Sequence, residues 1–260
     1  MQLSAASLLP VNATLAVLLV ALLLAAAGIA AVFHLAPDGG RGSRVRQILL
    51  AGVRATVQLA AVSAVIVWVV RSFLATLAFL LLMLAVAVRT AGRRITADRS
   101  WWTAAIPIAS PVLPVVAALL LTELVPFKGI VLIPVTGILI GGALTATSLA
   151  GRRALDALDH RHGEVEAGLV LGLSERDARL EIARPSASDA LIPGLDQTRT
   201  VGLVTLPGAF VGMLLGGAGP LSAGAVQLFV LIALMAVQAL ATALTLELIA
   251  RGRLHRPGPR

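Results

Sequence analysis

The chain has 260 residues, of which 58% are hydrophobic and 13% charged, about half the charged share of a soluble domain. It has no cysteine, which excludes disulfides, thiolate metal sites and cysteine nucleophiles. A net charge of +8 would suggest nucleic acid in a soluble protein, but here the basic residues sit in short segments beside apolar runs, without interleaved aromatics, so no nucleic-acid partner is expected.

Seven apolar runs follow one another: Ala13–Phe33, Ile48–Val70, Phe73–Val88, Trp101–Leu124, Ile130–Ala150, Val201–Leu215 and Ala223–Ala250. Most are near the roughly 20 residues needed to cross a bilayer core. The first has no positively charged segment before it and is too long for a signal-peptide core, so it is expected to stay as a span. All but three of the 21 basic residues fall in alternate gaps, the exceptions being Arg54, Arg71 and Lys128. Cytoplasmic loops keep Lys and Arg. The pattern therefore predicts an all-α polytopic membrane protein of about seven transmembrane helices, N-terminus outside and C-terminus cytoplasmic.

In the second run Arg54 is the one basic residue inside a span. It either snorkels to the interface or joins Gln58, one turn on, in a polar patch. Arg71 and Ser72 alone separate the second and third runs, and Val125–Gly129 the fourth and fifth, so each pair is expected to form an antiparallel hairpin. Pro107, Pro111 and Pro114 predict a bent or broken fourth span. Gly137, Gly141, Gly142, Ala143 and Ala146 make the fifth a close-packing helix, with a substrate-facing seam as the sharper reading. The sixth is short and punctuated by Gly202, Pro207, Gly208, Gly212, Gly216, Gly217 and Gly219, the composition in which transporters place hinges.

The polar stretch 151–200 carries Leu155, Leu158, His162, Val165 and Leu169 at three- and four-residue steps, which predicts an amphipathic helix continuing the fifth span. Gly172 would end it, and Ser174 with Asp177 three residues later reads as the start of a second short helix. Asp159–Glu164 contains two histidines, but they point to different helix faces, and a solvated face is the plainer reading.

Glu166-Ala167-Gly168, then Gly172, then Ile182 and Arg184-Pro185 resemble the coupling loop of ABC-transporter permeases, with Gly168 and Arg184 in place of that pattern's Ala and Leu. The run Ala190 to Gly208, together with Arg54–Leu59, Pro134–Ile138 and Gln227, is similar to the FetB/YbbM family of iron-export ABC-transporter permeases, which includes plant relatives linked to aluminium tolerance. The resemblance covers roughly residues 50 to 255. The chain departs from it at Gly141-Gly142, where a Gly-Asn pair is expected, and at Ser188, where relatives carry a basic residue.

The resemblance implies one permease domain over 1–260 in a plasma (inner) membrane, roles for Glu166, Ala167, Gly168, Gly172, Ile182 and Pro185 in ATPase coupling, and export of iron or a related metal. It also implies a homodimer served by an ATPase in trans, with Arg54, Gln58, Gly141, Gly142, Asp196, Pro207, Gly208 and Gln227 as candidates for the substrate pathway or gate. The chain's own residues leave the metal-binding set unknown. No cofactor is expected in this chain: the only lysine, Lys128, is not in a phosphate-binding loop, so ATP would be bound by the partner. Neither a His-Glu-x-x-His helix nor a membrane histidine is present, and an enzyme is not expected. The alternative, a gradient-driven secondary transporter or channel, would ordinarily need buried acids or histidines. Reporter fusions after Gly39, Ala97 and Gly163 should read as cytoplasmic and those near Lys128 and Gly219 as external; a cytoplasmic signal at Lys128 would refute the seven-span topology.

Overall fold

The computed structural model describes residues 12–35, 43–122 and 129–256. The regular elements among them are helices: α1 (Ala13–Val32), α2 (Arg44–Val69), α3 (Phe73–Ile95), α4 (Ala105–Leu121) preceded by a 3-10 turn (Arg99–Ala104), α5 (Gly129–His160), α6 (His162–Val170), α7 (Glu175–Ser188), α8 (Ile192–Thr200), α9 (Gly208–Leu215) and α10 (Pro220–Ala250). Six are apolar and long enough to cross a bilayer: α1, α2, α3, α4 with its 3-10 turn, α5 and α10. Expectations resting on Gly39 and Lys128, and nearly all of the fourth-to-fifth connection, lie outside the described residues.

The chain divides into two units, one ending at Trp68 and one beginning at Val69. In the first, Asn12 caps α1 by accepting from the Leu15 N–H at 3.0 Å, and α2 approaches α1 at Gly52, beside the Leu23 side chain.

In the second unit α3 and α5 run parallel. Thr76 lies against Gly129, Met83 against Gly137 and Ile95 against Gly151, so the two helices keep one register along their length. Helix α10 runs the same way, because Gly142 abuts Leu234 while the ends of α5 and α10 meet in one apolar cluster around Ala154, Leu155, Ile249 and Leu254. Helix α4 fills the space between them and returns in the opposite sense, with Ala104 and Ile108 packed on Ala87 and Ala91. Of the bend or break expected from its prolines, α4 shows no break and is one continuous helix. Pro107 sits in its first turn, where no N–H is needed, and the close packing of Ile108, Pro111 and Val112 compensates for the helical bonds that Pro111 and Pro114 remove.

The sixth apolar run is the main correction to the sequence reading. Val201–Leu215 is not a continuous helix: its first part is a tight turn, in which the N–H groups of Leu203, Val204 and Thr205 all donate to the Thr200 carbonyl, and only Gly208–Leu215 is helical. Gly202 takes a φ of +81°, a value that favours glycine, and Pro207 disfavours a helical Leu206. The return crossing starts earlier, in the polar stretch. Gly194 of α8 lies against Gln238 of α10, while Phe210 lies near Gly224 and Gln227, about 16 Å further toward the start of α10. Thus α8, the turn and α9 climb antiparallel to α10 as a broken crossing. Thr198 and Thr200 donate their hydroxyls to the carbonyls of Gly194 and Asp196, at 2.9 and 2.8 Å, so this polar helix satisfies part of its own hydrogen-bonding need.

A Cβ at position 194 would collide with the Gln238 amide. Gly194→Val should therefore destabilise the protein by about 1–3 kcal/mol. Thermal unfolding in detergent is expected to show a lower midpoint, partly restored by the double substitution with Gln238→Ala; an unchanged midpoint would refute this packing.

Candidate functional site

At about 48 and 46 Å, α5 and α10 are longer than the roughly 30 Å bilayer core. Both overshoot at the end where the basic residues of the α3–α4 corner and of 151–199 collect. There α5 ends at His160, and the expected single amphipathic helix is interrupted at Arg161 (φ −116°, ψ 32°) before α6 begins. Arg161 donates to Glu164 at 2.6 Å; that hydrogen bond holds the Glu164 carboxyl below its ordinary range and raises the Arg161 guanidinium. Leu155, Leu158 and Val165 turn inward, whereas His162 and Leu169 are exposed.

Helix α6 closes in a Schellman motif. The Gly172 N–H donates to Leu169 O and the Leu173 N–H to Gly168 O, both at 3.0 Å, with Gly172 at φ +91°. Ser174 then caps α7, accepting from the Asp177 N–H at 3.1 Å and donating to its carboxylate at 2.7 Å. Gly168 lets α6 close on Ala178, and Val165, Ala178 and Ile182 form a small core between the two helices. Of the residues proposed for coupling, Gly168 and Ile182 are therefore packed inside this hairpin, Gly172 makes its turn, and Glu166, Ala167 and Pro185 are exposed. The tip is apolar: Val170 is 87% and Leu171 84% exposed.

The hairpin is clamped to the long helices. Arg176 of α7 grips Glu247 of α10 with two bonds, at 2.8 and 2.7 Å, and Arg251 adds a third at 2.5 Å. Arg153 of α5 pairs with Asp189, and Arg256 reaches Asp156 at 2.7 Å and Asp159 at 3.0 Å. Leu254, fully buried, anchors the segment that carries Arg256. Sequence reading missed these partners, because they join positions up to about a hundred residues apart.

The pathway candidates divide. Arg54 and Gln58 are exposed on α2, with no hydrogen bond between them. Gly141 faces open space, while Gly142 packs on Leu234 and Gln238. Asp196 of α8 is exposed and 3.8 Å from Arg199. Pro207, Gly208 and Gln227 gather at the broken crossing. Gln227 also belongs to a buried polar stripe, with Gln238, Thr242 and Thr245, at steps of eleven, four and three residues that keep one face of α10. Gln238 was legible from that spacing and was not singled out. Among the described residues no three His, Cys, Asp or Glu side chains gather where a metal ion could sit.

Six long apolar helices define a multi-pass membrane protein. The chain belongs to UPF0014, described as an uncharacterised protein family, whose model matches residues 11–253. It is 33% identical to the UPF0014 membrane protein STAR2 of Oryza sativa subsp. japonica over 202 residues, 76% of this chain and 71% of that one. To the UPF0014 membrane protein YjkA of Bacillus subtilis it is 30% identical over 198 residues, 75% and 79% of the two chains. To the probable iron export permease protein FetB of Escherichia coli it is 31% identical over 126 residues, about half of each chain, 48% and 49%. No solved structure matches.

Gly172→Val would force a β-branched residue into the left-handed region, costing roughly 1–2 kcal/mol. Limited proteolysis should then cut the α6–α7 hairpin faster while the long helices stay protected; equal cutting of variant and native protein would show that the turn tolerates a side chain.

Proposed function

We propose that the chain is the membrane subunit of an ABC transporter in the plasma (inner) membrane, exporting iron or a related metal, with ATP bound and hydrolysed by a separate chain. The observation that carries this reading is the α6–α7 hairpin. It is short, capped at its turn and locked to α5 and α10, and it presents exposed apolar residues at its tip beyond the membrane-spanning length. Exposed Val170 and Leu171 in water are unfavourable unless a partner covers them, and the clamp through Arg176 and Glu247 would carry a push on the tip into the long helices. The Lys and Arg bias supports a cytoplasmic position for this end. The name of FetB supports iron and export as the cargo and direction.

The bilayer as solvent supports a homodimer. The turn of the broken crossing leaves Leu203, Val204 and Leu206 exposed on irregular backbone, and irregular backbone at membrane depth needs protein or a water-filled cavity beside it rather than lipid. A second copy facing this turn would supply both the cover and a central pathway.

The test is co-expression with the ATPase encoded nearest to this gene. Val170→Asp with Leu171→Asp should leave membrane insertion intact and lower co-purification of the ATPase at least tenfold. Undiminished co-purification would remove the hairpin from the interface, and ion flux from this chain alone, driven by a gradient and indifferent to ATP, would overturn the reading in favour of a secondary transporter or channel.

A further inference from the structure

Acidic residues are unevenly placed along the chain. Between residues 43 and 122 there are eight arginines and a single acid, Asp98. Asp98 is already engaged: its carboxylate accepts from the Ser100 N–H at 3.1 Å and faces the His255 ring at 3.4 Å. Around the hairpin, arginines such as Arg153, Arg176 and Arg256 have carboxylate partners. Among the described residues no carboxylate pairs with Arg89, Arg93, Arg94 or Arg99, all of them exposed, where α3 turns into α4. The first unit does not supply the missing charge, since its described residues include Arg44, Arg46 and Arg54 and no acid. Retention of arginine on one side of the membrane is a general rule of insertion, and it does not explain why these four lack the partners that the others have.

Two of the four share a helix face with hydrocarbon side chains. Leu82, Val86, Arg89 and Arg93 follow one another on α3 at steps of four, three and four residues, and all four are exposed. Arg93 is held in place: its guanidinium lies 5.2 Å from the centre of the Trp101 ring and donates to the Ala97 carbonyl at 2.9 Å. Trp101 and the exposed Trp102 suit the boundary between headgroups and hydrocarbon, where such rings settle. Depth agrees with this. Ile95 packs on Gly151, and α5 runs nine residues further, about 14 Å, before the hairpin begins. The corner is therefore set back from the hairpin tip, nearer the end of the hydrocarbon core.

We propose that the α3–α4 corner binds an anionic phospholipid, with its phosphate between Arg89 and Arg93 and its acyl chains along Val86 and Leu82. The two guanidinium groups stand one helical turn apart and each presents several N–H donors, which a phosphate's oxygens can accept together. Arg94 and Arg99 add to the positive field that draws such a lipid to the surface. An acidic patch on a partner protein would meet the same charge. It would not meet the apolar half of the face, Leu82 and Val86, which continues from the arginines into the span. A phospholipid carries both halves in one molecule, and the site is independent of cargo and of the ATPase.

Brominated lipids test this at the site itself, because Trp101 and Trp102 are two of the chain's three tryptophans. The full chain carrying Trp68→Phe would be placed in phosphatidylcholine bilayers with rising fractions of brominated phosphatidylglycerol or brominated phosphatidylcholine, and the tryptophan quenching followed. The anionic lipid should reach half-quenching at a mole fraction lower by about fivefold or more. Arg89→Gln with Arg93→Gln should abolish that preference. Arg184→Gln with Arg253→Gln, which removes the same charge from exposed positions elsewhere, should leave it intact. With Arg89 and Arg93 unchanged, raising the salt from about 0.05 to 0.5 M should also shrink the preference, since exposed charges are screened; this arm stands even where the glutamine pair fails to fold. Equal quenching by the two lipids, a preference indifferent to salt or to the Arg89 and Arg93 pair, or an equal loss in the Arg184 and Arg253 pair would overturn the proposal. So would a glutamine pair that keeps the lipid preference and instead loses co-purification with the ATPase, which would make the corner a protein contact.

Discussion

The fold depends on one requirement, that backbone N–H and C=O groups inside a bilayer find partners within the protein. Five of the spans meet it in the simplest way, as uninterrupted helices, and α4 does so even with two internal prolines, because its neighbours pack closely around it. Among the described residues, the apolar stretch that departs from a continuous helix is the one between α8 and α9, where several N–H groups converge on a single carbonyl, that of Thr200, and the next helix starts without a side-chain cap.

The second organising feature is the direction of the long helices. Because α3, α5 and α10 run parallel, their last turns come together at one end, and the basic loops, the hairpin and the residues after α10 all assemble there. Ion pairs between exposed groups are individually weak. Here they share Glu247, Asp156 and Asp189 with an apolar cluster that includes buried Leu180, Leu248 and Leu254, so orientation comes from packing and the charges fix the register.

Much of this was legible in the sequence. Hydropathy located the long spans, and Ser174 with Gly172 located the hairpin, since capping and positive φ are local demands that a few residues reveal. The broken crossing was placed too late in the chain. Residues 192–200 include Asp196, Gln197, Thr198, Arg199 and Thr200, and their polarity keeps them out of the sixth apolar run. The threonine hydroxyls bond back to the helix, a compensation that a hydropathy average does not register. In the same way, Gly194 is legible as a glycine but not as the partner of Gln238, because that contact depends on how far α8 climbs. The clamp of Arg176 on Glu247 joins residues 71 apart and has no local signature.

The segment after α10 sets an order of assembly. Arg256 holds Asp156 and Asp159 near the end of α5, and Leu254 completes the apolar cluster beneath α7, yet both follow α10 in the chain. During synthesis α5, α6 and α7 emerge well before them. The hairpin can form its own turn early, since its caps are local, and α5 already offers it Arg153 and an apolar face, but its attachment to α10 waits until that helix has been made and the chain has folded back beneath it. A partially made chain therefore carries a formed hairpin held to one long helix only, and the last step of synthesis is also the step that locks it to the second.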